Sequence, residues 1–229
     1  MTYFSEALIS ALLLVVRFDP DVYQIAWTSL KISLIATFYA GVLAIALGIY
    51  AAVSKFIGKR LLQHVLNTLM AMPTVMIGLI LYGLFSRRGP LGELSLLYTE
   101  TAVILGETCL ILPIIMNMTI VAVQSADCRL LTTLTMLGAR PHQQIVPILS
   151  ELRFVLLAAV VTGFGRAIGE VGAAMMLGGN IQETTRTMTT AIALETSKGD
   201  FALGMALGLL LLLIAFVVNL LLQILPTKA

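Results

Sequence analysis

An all-α, polytopic bundle of membrane-spanning helices is what this sequence predicts, and three observations predict it. Of its 229 residues 59% are hydrophobic and only 11% are charged, where a soluble domain carries about 25% charged residues. The apolar residues collect into runs of roughly the 20 residues that cross a bilayer. Strand-like alternation is absent throughout, which disfavours a membrane barrel. Five runs read as clear spans and a sixth, at the N-terminus, is short, so the expected total is six. The chain 1–229 then forms one transmembrane domain with no room for a second, soluble one.

The elements follow in order. Ala7 to Val16 is apolar but short for a span and is closed off by Arg17, Asp19, Pro20 and Asp21. It either crosses with help from the turn before it or lies in the interface, and its weak resemblance to a leader lacks a basic n-region, so it reads as retained. Trp27 to Val53 is a clear span, with Tyr23 and Trp27 at headgroup level, Gly41 and Gly48 as contact points, and Lys31 placed to snorkel. Ser54 to Arg60 is a basic turn. Leu61 to Phe85 is the next span, kinked at Pro73 because proline removes a backbone bond. Ser86 to Glu100 is a loop. Glu100 to Ala122 is a span containing Glu107 and Pro113, with Glu107 near enough to the end to be wetted. Phe201 to Leu225 is the last span.

The stretch Arg129 to Asn180 is the most informative. Arg129 to Met136 predicts a short helix, Gly138 a left-handed stop after it, and Pro141 the first turn of a second short helix ending near Ile148. Residues 129–150 therefore read as a surface helix–turn–helix, either a docking knob or a plain loop between spans. Leu152 to Gly178 is long enough to span and carries Arg166 and Glu170 four residues apart on one face. A charge in hydrocarbon costs about 3 kcal/mol or more, so the pair faces protein or water, either as a structural helix lock or as part of a pathway or gate. Gly165, Gly169 and Ala173 form a small-residue stripe beside it.

These residues carry a resemblance. The run from Gly165 to Leu213, with the Arg-Ala-Ile-Gly-Glu block at Arg166–Glu170, Gly179-Asn180-Ile181, Thr185-Arg186-Thr187 and Thr189 to Thr196, resembles the membrane permease subunit of an oxyanion-importing ABC transporter. It is most similar to the tungstate-type members of the molybdate/sulfate/tungstate group. The resemblance implies a type I ABC importer permease fold, in which the loop before this helix docks on a cytosolic ATPase. The coupling residues would be Thr132, Thr133, Leu134, Gly138, Ala139 and Ile148. Gly138 and Ile148 fit the family register. Ser150-Glu151 replaces its Leu-Pro, and Thr132, Thr133 and Leu134 replace its Glu-Ala-Ala, so the glutamate that would bridge the ATPase at that position is missing.

Chemistry outside transport is disfavoured. The chain has two histidines, His64 and His142, with no dyad spacing, and no zinc-hydrolase, nucleophile-elbow or Cys-x-x-Cys motif. It has no Gly-x-x-x-x-Gly-Lys-[Ser/Thr] loop, so it is expected to bind no cofactor, with ATP and Mg held by a separate subunit. Its methionines read as packing filler, its cysteines imply no disulfide framework, and no metal or nucleic-acid site is expected. With residues 129–150 in the cytoplasm, seven basic residues lie inside (Lys55, Lys59, Arg60, Arg129, Arg140, Arg153, Lys228) against six outside, a weak positive-inside bias; the resemblance sets the direction. Arg186 and Thr187, with Arg87 and Arg88, would then sit at an outer mouth, either attracting a dianion, helped by the start of the following helix, or forming a solvated loop against a binding protein. The expectation is a homodimer in a prokaryotic cytoplasmic membrane, driven by a cytosolic ABC ATPase dimer and fed tungstate, or molybdate, by an extracytoplasmic oxyanion-binding protein. Molybdate or sulfate permeases, an ATP-independent anion channel or secondary transporter, and an intramembrane enzyme are the alternatives.

Overall fold

The computed structural model describes residues 2–54, 56–126 and 128–224, with the side chains of 2–4, 128–131 and 221–224 also outside the description. Lys55, Lys228 and the Arg129 side chain, all counted in the charge balance above, therefore lie outside the described residues. Eleven α-helices and one 3-10 turn (Gly92–Leu94) make up the described fold. They are α1 (Thr2–Val16), α2 (Pro20–Val53), α3 (Lys59–Met70), α4 (Thr74–Phe85), α5 (Glu100–Gln124), α6 (Cys128–Met136), α7 (Ile145–Glu151), α8 (Arg153–Ile168), α9 (Gly172–Gly178), α10 (Met188–Lys198) and α11 (Phe201–Ile224).

Helices α2, α5 and α11 are each long and apolar enough to cross a membrane. The Asp19-Pro20-Asp21 break closes α1 and also opens α2. The Asp19 carboxylate accepts from the Asp21 and Val22 amides, and Pro20 occupies the first turn, where no donor is lost. Helix α1 has 15 residues, about 22 Å at 1.5 Å per residue, and packs on α11. Tyr23 holds its end by donating to the Val15 carbonyl at 3.0 Å and stacking on Phe18.

Two expected spans are broken rather than kinked. Helices α3 and α4 meet at 99°, and α7 and α8 at 85°. Pro73 does not bend a continuous helix. It sits before the first turn of α4 in extended backbone (ψ 130°), which a helix cannot contain. The second restart also differs from expectation, since Pro141 lies in a turn and α7 begins only at Ile145. The Leu152–Gly178 span ends as a regular helix at Ile168 and resumes at Gly172 as α9, with Glu170 in the gap.

Small residues set how closely the long helices approach. On α2, Ala36, Ala40, Ala44 and Gly48 recur every four residues and are all buried, forming a smooth ridge against α5. The two helices run parallel, since Lys31 meets Glu100, Ala36 meets Thr108 and Gly48 meets Thr119 in turn. Lys31 does not simply snorkel, because its ammonium pairs with Glu100 at 2.6 Å. The small row of α8 that makes contact is Ala159, Gly163 and Ala167, which packs on Ile111 and Ile115. Gly165, on the stripe expected from the sequence, faces open space.

A Cβ built on Gly48 would lie 2.9 Å from the Thr119 Cβ and 3.1 Å from the Met116 carbonyl, while Gly83 has open space. Gly48→Ala is therefore expected to destabilise the protein by about 1–3 kcal/mol through overpacking, and Gly83→Ala is not. Thermal unfolding of the two variants in detergent checks the difference.

Candidate functional site

The break between α8 and α9 frees backbone groups deep in the bundle, where each needs a partner. Glu170 supplies it. Its Oε1 accepts from the Ala173 amide at 3.0 Å, and its Oε2 pairs with the Arg166 guanidinium at 3.0 Å. Its own carbonyl accepts from the Thr189 hydroxyl. The Glu170 side chain is 2% exposed and the Arg166 side chain 41%, so the buried charge is answered by a cation that still reaches the bundle surface. The sequence placed the two on one helix face. The structure brings them together at the last turn of α8, with Glu170 capping the start of α9.

Glu107 was expected to be wetted, but it is buried at 2% exposure. Its position two turns into α5 places it against α2 and the helix break, with Ser33 and Glu170 as its polar neighbours. Its Oε2 has no hydrogen-bond partner. Glu107, Ser33, Ser29, Glu170 and Thr189 thus form a buried polar layer joining α2, α5, the α8–α9 break and α10.

The segment 179–200 is less of a loop than its composition suggests. Gly179, Asn180 and Glu183 have positive φ, and Thr185 folds the turn by donating to the Gly178 carbonyl and accepting from the Ile181 amide. Thr187 then caps α10 in a reciprocal box with Thr190. The Met188 amide, an orphan of the first helical turn, is taken by the Ser29 hydroxyl at 2.6 Å. Thr187 was expected at an outer mouth. It is 3% exposed and its hydroxyl is spent on this cap and on Thr189, so it has none to offer a passing anion. Thr185, Thr189 and Thr190 are buried in the same way, and Thr184 is exposed. Arg186 is half-buried and lines a small cavity of about 190 Å³ with Asp21, Glu183, Glu195 and Lys198. Three carboxylates against two cations make that cavity a poor trap for a dianion.

The six coupling residues divide by depth. Thr132 and Thr133 are exposed on α6, Gly138 is exposed at φ +73°, and Met136 and Leu137 beside it stand well clear of the bundle. Leu134 and Ala139 are half-buried. Ile148 is fully buried against Ile49, Val123 and Leu156, with Leu134 packed on the same cluster. Ile148 therefore cannot itself touch a partner, and its packing ties the segment to the bundle. Gln144 adds a bond to the Ala139 carbonyl across the turn at 2.8 Å.

One polar feature escaped the sequence reading. Asn117 of α5 donates to Asn67 of α3 at 3.1 Å and contacts the Met70 sulfur. With Arg60, Gln63 and His64 they line a cleft of about 310 Å³ on the outside of the bundle. The signal was an asparagine inside an apolar run, facing Gln63, His64 and Asn67 on one side of α3.

Removing the Thr187 hydroxyl takes away a cap and leaves the Thr190 amide without its side-chain acceptor. Thr187→Ala is expected to lower stability by about 1–2 kcal/mol, and Thr184→Ala to leave it unchanged, as measured by thermal unfolding.

Comparison with known proteins agrees with this architecture. The family model described as "Binding-protein-dependent transport system inner membrane component" matches residues 44–228. The chain is 43% identical over 219 residues to the tungstate uptake system permease protein TupB of Peptoclostridium acidaminophilum, covering 96% of each chain. It is 39% identical to the TupB of Campylobacter jejuni, over 96% of this chain and 92% of that one. It is 26% identical to the molybdenum transport system permease protein ModB of Escherichia coli K12, over 80% and 83%. A match across most of the chain, on a bundle of apolar helices with a surface helix–turn–helix, places this protein in the family of inner membrane components of binding-protein-dependent transport systems.

Proposed function

We propose that this chain is the permease subunit of an ATP-driven tungstate importer, working as a homodimer with a cytosolic ATPase dimer and an extracytoplasmic binding protein. The observation that carries the ATP-driven reading is the α6–turn–α7 segment. It presents Thr132, Thr133, Met136 and Leu137 outward while Ile148 anchors it in the core, which is what a lever gripped from outside requires. The substrate reading rests on the likeness to the two tungstate uptake permeases. Molybdate is the second reading, favoured by the lower likeness to the molybdenum permease.

The interior of one chain is a poor route for an oxyanion, because its deep polar layer holds the carboxylates Glu107 and Glu170. A dianion approaching them is repelled in a low dielectric. The pathway is therefore assigned to the interface of two copies, along the polar cleft of Arg60, Gln63, His64, Asn67 and Asn117, where hydrogen-bond donors and a single surface cation are offered. Such a path attracts its ion only briefly, as conduction requires. Arg166 and Glu170 act as the gate's hinge lock rather than as anion ligands.

The reading is tested in proteoliposomes containing the permease, its ATPase and its binding protein. Leu137→Asp puts an unpaired charge at the exposed tip and is expected to reduce ATP-dependent uptake by at least about tenfold, the scale of losing an interface hot spot, with unfolding temperature unchanged. Full uptake by that variant, or by permease without ATPase, refutes the coupling. Glu170→Gln keeps the acceptor for Ala173 but loses the ion pair, and is expected to weaken the link between ATP hydrolysis and uptake about 5- to 150-fold. Unchanged uptake per ATP removes Glu170 from the mechanism. Titrating the binding protein with tungstate, molybdate and sulfate decides the substrate.

A further inference from the structure

The largest described cavity, about 1010 Å³, lies between the end of α2, the start of α3 and the underside of the coupling segment. Its walls change character along its length. Leu47, Tyr50, Phe56, Leu62 and Met116 line the side continuous with the apolar faces of α2 and α5, and Ser54, Lys59, Thr135 and Gln144 line the end. Leu47 and Tyr50 are about half exposed, so the cavity has an open, apolar side on the surface of the bundle. The polar end lies where α2 stops and α3 turns off, at the end of the bundle that carries the segment 129–150.

Charge selects the occupant. Lys59 donates to the Ala52 and Ser54 carbonyls at the C-terminal end of α2, which leaves one of its three N–H groups unused. Among the described residues no carboxylate pairs with Lys59, and no acid lines the cavity. The Ser54 hydroxyl is buried without a partner. A cavity with an open apolar side and, at one end, a cation with a spare donor and no acid matches an amphiphile with an anionic head.

We propose that this cavity binds an anionic phospholipid from the leaflet on the side of the coupling segment. Lys59 and Ser54 meet the phosphate, and an acyl chain lies along Leu47, Tyr50 and Met116. Thr135, Pro141 and Gln144 form the roof, so the lipid fills the space under the coupling segment. Binding does not depend on that segment's partner, and the two readings can fail separately.

The probe is vesicles holding equal phosphatidylglycerol and phosphatidylethanolamine. Wild-type permease is reconstituted, re-extracted in mild detergent, and its retained lipid counted by native mass spectrometry. Wild type is expected to retain phosphatidylglycerol in preference. Lys59→Gln is expected to lower that preference about fivefold, the scale of one basic residue at a membrane surface, and Lys59→Arg to restore it. Leu47→Trp fills the apolar end and is expected to reduce retention of both lipids, which keeps the test open if Lys59→Gln fails to fold. Equal retention of the two lipids by wild type, or an unchanged preference in Lys59→Gln, overturns the proposal. So does release of the lipid by millimolar tungstate, which would mark a site for the free oxyanion, or a cross-link from Leu47→Cys to a second copy, which would mark a subunit interface.

Discussion

Glu170, buried in a membrane bundle, has both carboxylate oxygens and its charge answered, and it achieves this by using a defect in the chain. The helix that should run to Gly178 stops at Ile168. Its restart leaves the Ala173 amide without a carbonyl, and the Glu170 side chain takes it. The stop also leaves the Glu170 carbonyl free for the Thr189 hydroxyl of α10. The charge is met by Arg166, whose guanidinium stays half wetted and so avoids full desolvation. One residue thereby joins α8, α9 and α10, and the positions of α10 and of the Thr185–Thr190 turn follow from it. The approach of the surrounding helices depends on a second condition, smooth ridges. The Ala36–Gly48 row and the Ala159–Ala167 row bring α2, α5 and α8 close enough for the polar layer to be sealed.

Much of this was legible in the sequence, and the remainder failed for identifiable reasons. The three unbroken spans, α2, α5 and α11, follow from length and apolarity, which are local properties. The Arg166–Glu170 pair follows from spacing. The two right-angle breaks do not, because a proline or glycine in an apolar run permits either a kink or a stop, and packing decides between them. The small-residue period of α8 was visible but its phase was not. Gly165 was singled out, while the contact runs through Gly163. Glu107 was misjudged from its distance to the helix end. Depth along one helix says nothing of what covers it, and α2 and α9 cover it. The threonines after Gly179 look like a hydroxyl-rich mouth, but a threonine beside a helix start serves the backbone first, as Thr187 does.

The family pattern behaved in the same way. Gly138 takes the left-handed conformation its register demands, and Ile148 is the apolar anchor. The missing acid of the motif leaves Thr132 and Thr133 exposed on α6, and the outward surface of this segment carries the exposed Arg140 beside Met136 and Leu137, its most exposed large apolar side chains.

Under the proposed coupling, the two bends give a force at that surface a route to the polar layer. Helices α3 and α7 turn off at the same end of the bundle, beside the end of α2. Helices α4 and α8 then run up through it. Helix α8 has 16 residues, about 24 Å of unbroken rod, and it starts directly after α7 and ends at Arg166–Glu170. A sideways displacement of the coupling segment becomes a tilt of this rod, because Ile148 and Leu156 fix its base to α2 and α5. The far end moves against the α8–α9 break, the one place where the rod is not continuous. A hinge there bends without breaking helix hydrogen bonds, since its free backbone groups are already held by the Glu170 side chain and by Thr189. Glu107, with an oxygen still lacking a donor, marks the side of the hinge where a changed arrangement would gain a hydrogen bond rather than lose one.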